Sequence, residues 1–166
     1  LGLVYDNQGN YPKAIDYYLQ SLKIDRETKD REGESRTLGN IGLIYDRLGD
    51  DPKAIEYHLQ HLKIAQEIKD VQGELNALGN IGVAYYSLGE YSKAIEYHLR
   101  SLKIAQAIQD PRGGANAQGN LGLAYYSLGE YPKAIKYHLQ SLSILQKIED
   151  RAGEGAVMGN IGLVYR

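Results

Sequence analysis

Apolar residues recur at helical spacing along the chain, and residues 31–48 show the pattern clearly. Within this segment the large apolar residues are separated by three, four and three positions, which places them on one face of an α-helix. These residues are Leu38, Ile41, Tyr45 and Leu48. The pattern therefore predicts an amphipathic helix over about residues 31–48.

The next segment, residues 51–69, predicts a second helix with a wider apolar surface. Gly49 favours the end of the first helix because glycine tolerates the left-handed conformation, and Asp50 can cap the second helix, whose first turn accepts Pro52. The residues expected to be buried are Ala54, Ile55, His58, Leu59, Leu62, Ala65 and Ile68. Because they cover nearly two faces, we expect stacked neighbouring hairpins on both sides of this helix.

This two-helix pattern repeats at an interval of 40 residues. Leu-Gly-Asn at 38–40 returns at 78–80, with related tripeptides at 118–120 and 158–160, and an aspartate that can cap the next hairpin keeps the same interval. Periodicity of this length is typical of helical solenoids. We predict a single array over residues 1–166 of about four repeats, the first without the start of its first helix and the last segment a lone first helix. The divisions are 1–29, 30–69, 70–109, 110–149 and 150–166.

Three strings carry a family resemblance: Leu-Gly-Asn-Ile-Gly-Leu-Ile-Tyr at 38–45, Leu-Gly-Asp at 48–50 and Lys-Ala-Ile-Glu-Tyr at 53–57. They resemble the tetratricopeptide repeat (TPR), although the usual repeat has about 34 residues. The long form is similar to repeats of the LGN/Pins family of G-protein signalling modulators and of bacterial multi-repeat proteins. The resemblance implies an all-α, right-handed superhelical solenoid of antiparallel helix pairs that acts as a scaffold for protein–protein interaction, including in signalling.

In that family the first helix of each hairpin lines a concave groove that takes peptides or helices. Carried over to this chain, the resemblance implies groove positions offset from the apolar stripe, with Asn7, Arg47, Ser87 and Ser127 at the rim. The groove positions are Arg36, Asn76, Asn116 and Ala156; Asn40, Asn80, Asn120 and Asn160; Leu43, Val83, Leu123 and Leu163; and Asp46, Tyr86 and Tyr126.

The asparagine at 40, 80, 120 and 160 is the most informative of these groove positions. Asparagine is a poor helix former because its amide competes with the backbone, yet it stands inside every predicted first helix. A row of such amides offers donors and acceptors to an extended peptide backbone. The alternative is a packing role in which each amide bonds to a neighbouring helix of the solenoid.

The chain contains 15 tyrosines and no phenylalanine or tryptophan. Tyr45, Tyr85 and Tyr125 fall on the buried stripe and are expected in the core with hydrogen-bonded hydroxyls. Tyr86 and Tyr126 point elsewhere, so they are candidates for recognition or ordinary exposed tyrosines.

A glycine follows the stripe residue in each predicted first helix, at 42, 82, 122 and 162. A mid-helix glycine costs roughly 1 kcal/mol relative to alanine, so its recurrence predicts a close approach of the partner helix. The small residue expected opposite it is Ala54, Ala94 or Ala134. We expect Gly82→Leu to disrupt hairpin packing.

The histidines have three interpretations. His58 and His61, three positions apart on one helix, allow a metal site. However, His58, His98 and His138 share one repeat position where the family places a packing aromatic, which favours a role in the core and no metal. A pH switch is the third possibility.

Composition narrows the function further. A net charge of −2 gives no basic face for nucleic acid, and the lack of cysteine excludes a thiolate site. With no membrane-length apolar run, this suggests a cytoplasmic protein. Phosphate-loop, nucleophile-elbow and zinc-protease motifs are absent, so we expect neither an enzyme nor a cofactor.

A clamp for a terminal carboxylate, as in co-chaperone repeats, is incomplete because only Arg36 supplies a cation.

Self-assembly is the alternative function. The chain opens at Leu1 without an initiator methionine, and it stops at Arg166 before a matching second helix. We therefore expect solenoid ends without the polar caps that such arrays need. Ends of this kind predict end-to-end stacking between copies of the chain, whereas the scaffold interpretation predicts an unidentified protein or peptide partner.

Overall fold

The computed structural model describes residues 1–166 and contains nine α-helices joined by connections of two or three residues. The helices are α1 Gly2–Asn7, α2 Tyr11–Thr28, α3 Arg31–Leu48, α4 Asp51–Ile68, α5 Val71–Ser87, α6 Tyr91–Ala107, α7 Pro111–Ser127, α8 Tyr131–Lys147 and α9 Arg151–Val164. The predicted all-α fold is therefore confirmed. The bounds predicted for the two helices between residues 31 and 69 agree with the structure to within one residue.

The chain divides into two compact units, Leu1–Ala84 (unit 1) and Tyr85–Arg166 (unit 2). In unit 1, α1 packs against α2, α2 against α3, and α3 against α4. In unit 2, α6 packs against α7, α7 against α8, and α8 against α9. The helices α2, α3, α7 and α8 therefore each have a neighbour on two sides.

Aspartates begin most of the helices that open a hairpin. Each accepts a hydrogen bond from the backbone N–H three residues later, as in the 2.9 Å bond from Gly33 N–H to Asp30. The same bond joins residues 73 and 70, 113 and 110, and 153 and 150. At the other end of α3, Gly49 adopts a φ of 72° and closes the helix. The capping predicted from the sequence is thus confirmed.

The buried face of α3 is broader than the single stripe that the sequence suggested. Leu38 and Ile41 are fully buried as predicted, and so is Ile44, which the stripe omitted. Two predictions were wrong, because Leu48 is 48% exposed and Leu59 is 39% exposed. Since α3 packs against both α2 and α4, its buried arc extends to Ile44, and Leu48 in the last turn lies outside it.

The mid-helix glycines admit a close approach, but the neighbour is not the predicted alanine. A Cβ added to Gly42 would lie 2.5 to 2.9 Å from three ring atoms of His58. Gly122 faces His138 in the same way, so the expectation of Ala54 and Ala134 at these contacts was wrong. The reason is that a bare glycine leaves room for a whole imidazole, which then fills the hairpin interior.

The three histidines at this repeat position are core residues. His58, His98 and His138 are each at most 1% exposed, and Tyr18 fills the equivalent position of the first hairpin against Gly2. His58 Nε2 lies 2.9 Å from Oδ2 of Asp46. Burial lowers the pKa of His98 to about 4 and also lowers the pKa of His138. The packing role predicted for this position is confirmed.

Candidate partner-binding cleft

An open cleft of about 880 Å³ lies in unit 1 between α3, the end of α4 and α5. It brings together several groove residues that the sequence predicted. From α3 come Arg36, Asn40 and Leu43, and from α5 come Asn76 and Asn80. Residues forty positions apart in the sequence thus face one cavity, which we call the unit 1 cleft.

Two other predicted groove residues of unit 1 do not line this cleft. Val83 is 45% exposed on α5. Asp46 is half-buried and turns its Oδ2 toward His58 inside the hairpin. Its carboxylate therefore orients a core imidazole.

The predicted groove residues of unit 2 lie on α7 and α9, apart from Tyr86 at the end of α5. On α7, Asn116 is exposed and Asn120, Leu123 and Tyr126 are half-buried, while Asn160 on α9 is half-buried. The two tyrosines already have protein neighbours. The Tyr86 hydroxyl lies 3.1 Å from Ser127 Oγ, and the rings of Tyr86 and Tyr126 pack obliquely on Tyr91 and Tyr131.

The tyrosines predicted for the core form half-buried stacks instead. Tyr45 stacks on Tyr57 with ring centroids 5.4 Å apart, and the Lys53 ammonium lies 5.1 Å from the Tyr45 ring. The same arrangement of two tyrosines and a lysine recurs at Tyr5, Tyr85 and Tyr125. These rings are stabilised by stacking and by a cation above the ring face.

Two buried polar side chains in the unit 1 cleft were missed as site residues. Ser35 is 3% exposed and His61 is 9% exposed, and neither Ser35 Oγ nor His61 Nδ1 has a hydrogen-bond partner. Burial lowers the pKa of His61, and the nearby His58 adds to this, so the imidazole is neutral at pH 7. The signal was present in the sequence, because the position of His61 holds serine in the other repeats.

Ser141, which occupies the position of His61 in a later repeat, shows what the serine does there. Its Oγ donates a 2.8 Å hydrogen bond to the carbonyl of Ala115. A Cβ added to Gly39 would lie 3.0 Å from His61 Nδ1. The absence of a side chain at Gly39 therefore leaves room for the larger imidazole in the cleft.

The unit 1 cleft is polar but electrically balanced. Arg36 and Lys69 supply positive charge, and Glu32 and Asp70 supply negative charge. Asp70 is also engaged as a helix cap through the N–H of Gly73, at 2.9 Å. This balance favours an uncharged polar ligand over a phosphate or a strongly acidic segment.

Two further features of the molecule bear on its chemistry. No group of three or more histidine, aspartate or glutamate side chains is arranged to hold a metal ion. None of the helices combines the length and apolar character that crossing a bilayer requires.

Comparison with known structures identifies the same architecture elsewhere. BtubC (BKLC) from P. vanneervenii superposes with a TM-score of 0.89 at 24% identity, over 99% of this chain and 69% of its own. Aspartyl phosphate phosphatase F from Bacillus subtilis superposes with a TM-score of 0.92 at 21% identity, over 98% of this chain and 43% of its own. A Rap protein complexed with competence and sporulation factor superposes with a TM-score of 0.81 at 19% identity, over 99% of this chain and 46% of its own. At these identities the likeness shows the fold alone, and this chain spans less than half of the last two proteins.

Family comparison covers the whole chain. The tetratricopeptide repeat model matches residues 1–67, 47–107, 73–147 and 113–166. A search among curated proteins gave no match. The overlapping family matches agree with the helix-pair architecture and with the solved structures of similar fold. The chain belongs to the tetratricopeptide repeat family.

Proposed function

We propose that the chain is a non-catalytic interaction module that holds an extended segment of a partner protein in the unit 1 cleft. The observation that carries this proposal is the convergence of Arg36, Asn40, Leu43, Asn76 and Asn80 on one open cavity. Concave sites with a few convergent polar groups are where proteins bind ligands. The Rap protein of similar fold, solved in complex with competence and sporulation factor, supports a ligand-binding role for this architecture.

Asn40 and Asn80 are the groups best suited to hold a peptide backbone. Both are half-buried, one on α3 and one on α5, and both side chains line the unit 1 cleft. A carboxamide presents donors and an acceptor together, so it can pair with both the N–H and the C=O of an extended chain. This supports peptide contact over the alternative of bonding to a neighbouring helix.

The buried atoms of Ser35 and His61 supply selectivity in this proposal. An unpaired buried polar atom costs free energy that a suitable ligand group recovers. Because His61 is neutral and the cleft is balanced in charge, the group that fits is an uncharged polar side chain such as that of serine, threonine, asparagine or glutamine. Leu43, which is 38% exposed, adds an apolar contact beside it.

The test uses a peptide selected from a random library on the wild-type chain. Its affinity is then measured by calorimetry against the double variant Asn40→Ala plus Asn80→Ala. Loss of the two amides removes about 1 kcal/mol each, so we expect binding at least about tenfold weaker. The matched control, Glu56→Ala plus Lys63→Ala, changes two exposed residues of α4 outside the cleft and should bind normally.

Two outcomes contradict the proposal. Unchanged affinity in the asparagine double variant would remove these amides from the binding site. A loss of helicity in the same variant, seen by circular dichroism, would instead support the packing role of the asparagines.

A further inference from the structure

A glutamate stands near the start of the first helix in three of the repeats, at positions 34, 74 and 154, and it is buried in two of them. Glu34 is 5% exposed and accepts hydrogen bonds from Arg26 and Arg31. Burial opposes its ionisation, but these two hydrogen bonds outweigh burial and lower its pKa. Glu154 is 6% exposed and pairs with Arg151 at 2.9 Å. The glutamate thus fills the space between helices and satisfies local donors.

In the repeat that begins at residue 110 this glutamate is replaced by Gly114. Gly114 is buried, yet a Cβ added to it would meet no atom within 4 Å. Gly114 lines a cavity of about 310 Å³ between α6, α7 and α8 that is open to solvent. The missing side chain has left a hole beside the core of unit 2.

The walls of this cavity are mainly apolar. Leu102 and Ala105 contribute from α6, Pro111 from α7 and Ile144 from α8. The one acidic lining residue, Asp110, accepts a 2.9 Å hydrogen bond from the N–H of Gly113 as the cap of α7. A charged ligand would therefore find no free counter-charge in this cavity, and an apolar one would bury its surface there.

One buried polar atom beside the cavity has no hydrogen-bond partner. Gln118 stands where the equivalent repeat positions hold the fully buried Leu38 and Leu78. It is 7% exposed, it lines the cavity, and its Oε1 is buried with no hydrogen-bond partner. Buried acceptors in folded proteins are nearly always paired, so an unpaired one beside a cavity marks the place of a donor.

We propose that this cavity is a second binding site, for a small and largely apolar molecule that carries a single N–H or O–H group. That group donates a hydrogen bond to Gln118 Oε1 while the apolar body packs against Leu102 and Ile144. At the packing density of a protein interior, the volume suits a molecule of on the order of ten non-hydrogen atoms. The site is separate from the unit 1 cleft and does not depend on the partner-binding proposal.

Indole and 1-methylindole form a matched pair of probes for this site, because they differ in the single N–H donor. The chain contains no tryptophan, so the fluorescence of either probe can be followed by exciting where tyrosine does not absorb. We expect saturable sub-millimolar binding of indole and roughly five- to tenfold weaker binding of 1-methylindole, the difference of one hydrogen bond.

Three variants locate the binding. Gly114→Glu restores the residue of the other repeats, fills the cavity and should abolish binding of both probes. Gln118→Leu removes the acceptor but keeps a side chain of similar size, so the two probes should then bind equally. Gly155→Glu adds the same side chain to an exposed glycine of α9 with open space around it, and it should bind indole as the wild type does.

Several results would overturn the assignment. They are an absence of saturable indole binding to the wild type, equal binding of the two probes, or normal binding in a folded Gly114→Glu variant. Binding of N-acetyl-tryptophanamide without binding of indole would also overturn it, because the site would then take a partner's side chain rather than a free small molecule.

Discussion

At the scale of single residues, the hairpin interiors depend on a glycine in the first helix that faces an aromatic ring of the second. Gly42 against His58 and Gly122 against His138 are two instances, and Gly2 against Tyr18 is a third. Glycine weakens the helix that contains it, but the space it leaves lets a large ring become fully buried. The glycine and the ring are therefore a coupled pair of core residues.

Gly42→Ala should destabilise the protein even though alanine is the better helix former. The new Cβ would lie 2.5 Å from the buried His58 ring, and overpacking of this kind costs about 1 to 3 kcal/mol. The control is Gly162→Ala, at the same repeat position but with no atom within 4 Å, which should be neutral or stabilising by up to about 1 kcal/mol. Urea unfolding of both variants measures the difference, and equal effects would contradict the paired role.

Acid should destabilise the protein through its buried histidines. Burial lowers the pKa of His98 in the folded state to about 4 from the ordinary value of 6.5, so the unfolded chain takes up the proton first. The stability that neutral His98 contributes is therefore complete above pH 6.5 and is lost as the pH falls toward 4, by about 3 kcal/mol. His61 and His138 shift in the same direction.

His98→Tyr isolates the contribution of His98, because Tyr18 already occupies the equivalent position of the first hairpin. Its unfolding midpoint should fall less between pH 7 and about pH 4.5 than that of the wild type. An identical pH dependence of the two proteins would show that His98 does not cause the acid sensitivity.

At the scale of helices, the sequence predicted well which helices exist and where they begin and end, because both depend on local chemistry. The helix ends at Gly49 and the caps at Asp30 and Asp70 are local signals, and the structure contains them. The end of α4 was placed one residue late, because Lys69 adopts a left-handed φ of 60° that lysine rarely takes. The buried faces were less predictable, since they depend on how many neighbours each helix has.

The caps can be tested through Asp30. Its carboxylate accepts the N–H of Gly33 at 2.9 Å, so Asp30→Ala should cost about 1 kcal/mol of stability. Asp30→Asn keeps an acceptor of similar capping strength, as Asn10 does at the start of α2, and should cost much less. Equal losses in the two variants, measured by thermal unfolding, would exclude capping as the role of Asp30.

At the scale of the whole molecule, the family was predictable from repeated motifs, but the site was predictable only in part. The row at Asn40 and Asn80 follows from periodicity, and the structure brings its members to one cleft. Four residues near the two cavities differ from the residues at the same position of other repeats: Ser35, His61, Gly114 and Gln118. The effect of such a difference on the structure can be predicted only when the space around the residue is known. The repeat divisions and the single continuous array stay predictions.

End-to-end self-association of the chain also stays a prediction. Leu3 and Val4 on α1 and Met158 on α9 are more than half exposed, and apolar surface of this kind favours association. We expect the mass measured by sedimentation to rise with concentration, and Met158→Lys to reduce the rise. The control is Leu139→Lys, at a similarly exposed position on α8. A monomer at all concentrations would contradict the prediction.

The most direct test of the central proposal is a crystal structure of the chain with a peptide selected on it. The proposal predicts an extended peptide in the unit 1 cleft, with its main chain within hydrogen-bond distance of the Asn40 and Asn80 amides and a polar side chain directed at His61. A peptide bound outside this cleft, with the two amides bonded to neighbouring helices, would contradict it.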